Sequence, residues 1–281
     1  MDILIRGMER FSEFRDAEEL QKEVWGFKDR DLIPLLQLAA AHQVGGTVIG
    51  AFDGDTLVGF VYGFLGYAAR SLVLHSEMLA VKPAYRNLGI GYKLKLAQRT
   101  QTLAQGITRH ITWTFDPLQS RNAHFNLTKL GALADEYRID FYGQTSSSFL
   151  HSNSTDRLWM SWLLDSQRVK QRLEGSSVMP PALAEAVPLI RVGPDLSPQR
   201  VGSPGQLKGV SALIEVPYDI DALQGEDPAL AARWRAATRW AFNQQLASGY
   251  LVEEFYRQDR DGQKLGCYLL TSRRLADFVR V

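Results

Sequence analysis

A single cysteine, Cys267, stands in a chain of 281 residues. One thiol cannot build an internal disulfide framework or a thiolate zinc site. An excess of either charge is missing too: 32 basic side chains face 31 acidic ones, leaving +1. Such a chain is not built as a polycation, so neither a nucleic-acid partner nor an acidic membrane surface is expected. No apolar run approaches the roughly 18 residues of a membrane span. The opening stretch, MDILIRGMERFSEFRDAEEL, carries acids in its first turns and has no apolar h-region, so it reads as no signal peptide. The histidines at 42, 75, 110, 124 and 151 fall at no metal-ligand spacing, and no metal is expected. What is left is a globular chain, 45% hydrophobic and 22% charged, expected in the cytoplasm.

The first half alternates strands and helices. Asp2 to Arg6 reads as a strand, Ser12 to Trp25 as an amphipathic helix with a serine N-cap, and Asp31 to Gln43 as a helix ending before Gly45-Gly46. Thr47 to Phe52 and Thr56 to Phe64 form a hairpin across Asp53-Gly54. Leu72 to Val81 is a strand stopped by Pro83, Gly89 to Gln105 a helix with apolar residues at helical spacing, and Ile107 to Phe115 a strand. Ser120 to Leu130 is a helix closed by Gly131, and Ala132 to Tyr142 and Leu158 to Leu164 are strands, with a serine-rich loop, Gln144 to Thr155, between them. Then the composition shifts. Six of the eleven prolines fall between Gln167 and Gln206, which reads as a linker or wrapping arm with little regular structure. Beyond it come a strand (Val210 to Val216), a long helix (Asp227 to Ala247) and a hairpin across Asp261-Gly262. The expected organisation is a domain over 1–165, an arm over 166–209 and an α+β extension over 210–281.

The stretch Val81-Lys82-Pro83-Ala84-Tyr85-Arg86-Asn87-Leu88-Gly89-Ile90-Gly91 is the informative one. A strand runs into Arg-x-x-Gly-x-Gly, and the loop opens directly into a helix. Such a junction presents unpaired backbone N–H groups and the positive helix end to an anion. Gly89 and Gly91 let the main chain approach closely or take positive φ, and Arg86 adds fixed charge suited to a pyrophosphate. A Walker loop is ruled out because no Gly-Lys-Ser/Thr follows, and a dinucleotide fingerprint because position 94 is leucine. A plain tight turn before a helix is the alternative.

These residues resemble the pyrophosphate-binding motif of the GCN5-related N-acetyltransferase (GNAT) superfamily. The helix around Asn122-Ala123, ending in Lys129-Leu130-Gly131, is similar to its next motif. The resemblance covers about residues 1–165 and is most specific over 72–131. It implies an α/β (α+β) GNAT fold, a mixed, mostly antiparallel, splayed sheet flanked by helices, with the C-terminal α+β extension added. It further implies that Leu79, Ala80 and Val81 offer backbone groups to the pantetheine of acetyl-CoA or another acyl-CoA. Arg86, Asn87, Leu88, Gly89, Ile90 and Gly91 would wrap the pyrophosphate, and Asn122 would lie near the pantetheine arm. One position departs. Where the family often carries a tyrosine acid for the departing thiolate, four residues before the glycine that closes the helix, this chain has Leu127.

Acyl transfer to an amine requires that a proton be removed, directly or through water. His75 and Glu77 are two apart on a strand and share a face. His75 stands about where the family often carries a carboxylate, and a histidine titrates near neutrality. Solvation or a cross-strand hydrogen bond is the alternative for both. Tyr137 and Tyr142 could bring a hydroxyl to the thiolate, against simple packing. Ser146 to Ser148 lack a Gly-x-Ser-x-Gly elbow and read as loop. Asp156-Arg157 reads as an ion pair or a substrate clamp, and Arg233, Arg235 and Arg239 as a solvated helix face or a meeting point for an acidic substrate group.

The expected activity is acyl-CoA-dependent N-acyltransfer by direct attack of a small, amino-acid-like amine, with an acetyl or another acyl group such as succinyl. A non-catalytic acyl-CoA sensor is the alternative, favoured by Leu127. A substrate carboxylate would call for an arginine, and Arg121, Arg138 and Arg157 are the candidates. The long C-terminal helix must bury its Leu230, Trp234, Ala237 and Ala241 face, either on the first domain or in a homodimer.

Overall fold

The structure, a computed structural model, describes residues 2–68, 70–143, 154–175 and 185–279. Packing divides the chain after Trp113 rather than at 165, into two compact units.

In the first unit the strands are β1 (Ile3–Gly7), β2 (Thr47–Asp53), β3 (Thr56–Ala68), β4 (Ser71–Val81) and β5 (His110–Phe115), the last running across the division. They lie in the order β1-β2-β3-β4-β5, antiparallel except for β4 and β5. The helices are α1 (Phe11–Trp25), α2 (Leu35–Gln43) and α3 (Ile90–Gln105). Strand alternation sorts the core. Phe60, Tyr62, Met78 and Ala80 join Phe14, Leu20 and Leu38 on one face, while Val61, Leu79 and Val81 join Ile90 and Leu94 on the other.

Two helix starts differ from expectation. Helix α1 begins at Phe11 behind Arg10, not at a serine cap, because the Glu13 carboxylate accepts from the backbone N–H groups of Glu9 (2.8 Å) and Arg10 (3.3 Å). Arg6, bonded to it at 2.7 Å, holds that carboxyl far below the usual carboxylate range. Helix α2 starts at Leu35, not Asp31, since Pro34 disfavours helical φ/ψ at the residue before it.

The second unit contains α4 (Ser120–Ala123), continued by a π turn over His124–Lys129, then β6 (Leu133–Arg138), β7 (Arg157–Leu163), α5 (Gln167–Leu173), β8 (Val187–Val192), β9 (Pro198–Arg200), β10 (Ala212–Pro217), α6 (Ile220–Glu226), α7 (Pro228–Ala247), β11 (Leu251–Arg260) and β12 (Gln263–Thr271). The strand order is β7-β6-β11-β12-β10-β8-β9. The proline-rich stretch is therefore not structureless: it supplies α5, β8 and β9. Two of its prolines sit where the ladder tolerates them, Pro198 at the first residue of β9 and Pro188 beside a register shift between β8 and β10. Strand β6 ends at Arg138 instead of Tyr142 because Asp140, at φ 47°, turns the chain and donates its N–H to Asp156 (3.1 Å). The hairpin β11-β12 closes through Asp261 (φ 54°) and Gly262 (φ 83°), the positive pair a two-residue hairpin favours.

The C-terminal region is built onto β6. Val252 of β11 pairs with Ala134, and Tyr137 of β6 stacks on Phe242 of α7 at 5.8 Å. Leu230, Trp234, Ala237 and Ala241 are all buried. The expected solvated arginine face is wrong at two of its three residues, Arg233 alone being exposed. Arg235 is 5% exposed and forks onto Asp116 (2.9 and 2.5 Å), and Arg239 forks onto the fully buried Asp156 (2.8 and 2.7 Å). Removing one partner of such a pair leaves an uncompensated charge. Arg235→Ala is expected to lower unfolding stability by roughly 3 kcal/mol in denaturant titration, and a loss under about 1 kcal/mol would mean that solvent reaches Asp116 freely.

Candidate functional site

The first unit carries a split in its sheet. Strands β4 and β5 run parallel through only two register pairs, Leu74 with Ile111 and His75 with Thr112. Beyond them β4 continues to Val81 with β3 on one side and, among the described residues, no strand on the other. The backbone groups of Glu77 to Val81 on that edge have no strand partner among the described residues.

A bulge aims the side chains there. Tyr62 pairs with Met78 and Phe64 with His75, so Ser76 and Glu77 together oppose Gly63. A side chain at 63 would meet the His75 carbonyl at 2.9 Å and Gln98 at 3.0 Å, so only glycine fits. Ser76 turns toward α3, donating to Gln98 Oε1 (2.9 Å) and accepting from Lys95 Nζ (3.0 Å). His75 stays on the opposite face beside Phe64, and its Nε2 lies 3.2 Å from Glu77 Oε2. The other ring nitrogen, Nδ1, meets Thr112 Oγ1 at 2.9 Å. A carboxylate only accepts, so Nε2 donates toward Glu77, while Nδ1 and the Thr112 hydroxyl bond to each other. The imidazole thus has both nitrogens engaged, and Glu77 keeps a second oxygen with its side chain 20% exposed. The sequence reading brought His75 and Glu77 together; Thr112 and the bulge escaped it.

Lys95 escaped it as well. Its Nζ, 3% exposed as a residue, also donates to Gln98 Oε1 (2.9 Å) and lies 4.1 Å from the centre of the Trp113 ring. Burial pulls its pKa down to about 7. Nothing in the helical spacing marked it, since a lysine between Leu94 and Leu96 reads as solvated.

The loop after β4 has the geometry that its glycines suggested. Pro83–Tyr85 make one 3-10 turn, Asn87 takes φ 68°, and Gly89 caps α3 at φ 75°, with open space around its Cα. Gly91 is different: it lies inside the helix, where a methyl group would meet Leu79 and Val81 at ordinary distance. The first intrahelical bond runs from Lys93 N to Gly89 O, so the N–H groups of Ile90, Gly91 and Tyr92 have no acceptor within the helix. Arg86, exposed, leans back on the strand end with Nε 3.3 Å from Val81 O, and Leu88 is 52% exposed.

In the second unit Asn122 and Arg121 lie exposed on α4. Leu127 is fully buried, so no acid stands at that position. Tyr137 is committed elsewhere: its hydroxyl donates to Asp156 (2.6 Å), and burial together with that carboxylate raises its pKa far above the tyrosine range. Tyr142 is 38% exposed, its hydroxyl 3.3 Å from Thr114 Oγ1. The three arginines separate. Arg138 pairs with Glu136 (2.8 Å) and lies 3.8 Å over Trp159. Arg157 is 7% exposed and makes no ion pair with Asp156; its Nη1 donates to the Asp156 carbonyl (2.9 Å), because the carboxylate belongs to Arg239. Ser146 to Ser148 and His151 lie outside the described residues.

Among the described residues no group of three or more metal-ligating side chains could hold a metal ion, and no helix is long and apolar enough to cross a membrane.

No curated protein sequence matches the chain. Among solved structures it is similar to the acetyltransferase of the GNAT family from Streptococcus pneumoniae, with 16% identity, TM-score 0.45, and 57% of this chain and 98% of that one covered. It is also similar to the ribosomal-protein-S18-alanine N-acetyltransferase from Escherichia coli (13%, TM-score 0.45, 58% and 94%). A third is the PaiA N-acetyltransferase from Thermoplasma acidophilum in complex with coenzyme A (19%, TM-score 0.40, 57% and 98%). The model of the acetyltransferase (GNAT) family matches residues 10–131, from the first turn of α1, through the loop after β4, to the glycine that follows the π turn. That span holds the split strands and the glycine-capped helix, and over it the chain resembles the acetyltransferase (GNAT) family.

Proposed function

We propose that the protein is an acyl-CoA-dependent N-acyltransferase that moves an acetyl or other acyl group, succinyl included, to the amine of a small, amino-acid-like substrate in the cytoplasm. The observation that carries this reading is the unpaired β4 edge leading straight into a glycine-capped helix. Leu79, Ala80 and Val81 would offer main-chain groups to pantetheine, and the segment from Arg86 to Gly91 would hold the pyrophosphate by N–H groups, helix dipole and charge. The amine nitrogen attacks the thioester carbonyl; the C–N bond forms, the C–S bond breaks, and the sulfur leaves as the thiol after gaining a proton. Strand N–H groups would hold the oxyanion. Glu77, oriented by His75, takes the amine proton. A thiol-release assay across acyl-CoAs and small amines tests the reaction.

The loop has its own test. Arg86→Glu or Gly89→Val is expected to weaken acyl-CoA binding at least tenfold by calorimetry, about 1.4 kcal/mol, the first by charge and the second by forcing a β-branched residue to positive φ. Unchanged affinity in both would remove the premise. The buried Leu127 favours one other reading, an acyl-CoA sensor that binds without turnover. Tight CoA binding with no thiol release across the amines would favour it.

A further inference from the structure

Arg157 stands out among the charged residues of the second unit. It opens β7 and is 7% exposed, so its guanidinium has been taken almost wholly out of water. Burial lowers its pKa, which expresses the same cost. Yet no carboxylate pairs with it among the described residues, although Asp116 and Asp156 both act on it electrostatically. The reason is occupancy. Asp116 accepts both arms of Arg235 and the Leu118 N–H (2.9 Å). Asp156 accepts both arms of Arg239, the Tyr137 hydroxyl, the Asp140 N–H and the Ser154 hydroxyl (3.0 Å). A carboxylate offers about four lone-pair sites, so Asp156 has none left.

Arg157 spends Nη1 on the Asp156 carbonyl. Among the described residues its Nε and Nη2 have no hydrogen-bond partner, while the Tyr142 ring lies 5.3 Å from Cζ. A guanidinium edge of that kind, two parallel N–H groups in a nearly dry setting, fits a carboxylate in bidentate fashion.

We propose that Arg157 is a carboxylate-binding site, held open because Arg235 and Arg239 of α7 occupy the two aspartates that would otherwise neutralise it. Which carboxylate it takes rests on the acyltransferase reading: that of an amino-acid acceptor, or the free end of a dicarboxylic acyl group. On this view the C-terminal helix keeps a specificity residue charged and available. Of the three arginines considered from the sequence, only Arg157 has this environment.

The test is equilibrium titration of the full chain, without CoA, using glycine against glycinamide and succinate against succinamide. The acid of at least one pair is expected to bind tenfold or more tighter than its amide. Arg157→Gln should abolish the difference, and Arg235→Gln should reduce it by releasing Asp116 to Arg157. CoA affinity, measured in parallel, should stay near wild type in both. If Arg157→Gln does not fold, Arg157→Lys, which keeps charge without the fork, should weaken the preference. Preference for glycine identifies the acceptor as source; preference for succinate identifies the acyl group. Absence of any acid preference in the wild type, or its survival in the Arg157 variant, overturns the proposal. Acid preference with no CoA binding would instead sink the acyltransferase reading and leave this site standing.

Discussion

Glu77→Gln should cost about two to four orders of magnitude in turnover, the range set by removal of a positioned general base. Its CoA affinity should stay near wild type, because the loop from Arg86 to Gly91 keeps its geometry. The carboxylate is the better base because the imidazole has no nitrogen to spare: Nε2 faces Glu77 at 3.2 Å and Nδ1 faces Thr112 at 2.9 Å. His75 is a positioning residue on this account. His75→Gln, which can still donate to Glu77, should lose less turnover than Glu77→Gln, and the acid limb of its pH–rate profile should shift. Single-turnover acyl transfer with saturating acyl-CoA reads both. Equal turnover in the two variants would point to solvent, or to a group outside this strand, as the base.

Lys95→Met should stabilise the protein below pH 7 and do so less and less toward pH 10.5. The folded-state pKa, pulled down by burial to about 7, lies well under the ordinary 10.5. Between those values the unfolded chain holds a proton that the folded one has released, so stability rises with pH there. Below 7 both states are charged and the folded state carries the whole cost of a buried ammonium, about 5 kcal/mol at about 1.4 kcal/mol per unit. Methionine removes that cost. Against it stand the bonds from Nζ to Ser76 and Gln98 and the approach to Trp113, so the net gain at pH 6 is expected at about 2 to 3 kcal/mol. Urea titrations of both forms at pH 6 and pH 9.5 measure it, the difference cancelling the other titrating groups. Parallel stability curves for the two forms would mean that the ammonium is hydrated. Because Lys95 holds Ser76, and Ser76 sits in the bulge beside Glu77, a more stable Lys95→Met enzyme is also expected to turn over more slowly.

Local signals in the chain were enough for much of this. Alternation and turn residues located the strands to within a few positions. Arg86, Gly89 and the helix behind them were recognisable because a glycine-capped junction depends on neighbours in sequence. The pairing of His75 with Glu77 followed from a spacing of two.

What the sequence could not express depends on which distant groups meet. The prolines between 167 and 206 signalled irregularity, but β8 forms because β10, more than twenty residues later, offers a ladder beside it. Arg235 and Arg239 looked like a solvated face, since nothing near them in sequence is their partner; Asp116 and Asp156 lie about eighty and more residues away. The same distance explains Arg157, whose adjacent aspartate was the obvious mate until tertiary packing gave it to another arginine. The sequence by itself determined the strands of the first unit and the glycine-capped junction after β4, because short-range sterics and backbone hydrogen bonding specify them. Only the tertiary structure decided which buried charges are neutralised and which stay open, because pairing and desolvation are properties of a three-dimensional neighbourhood.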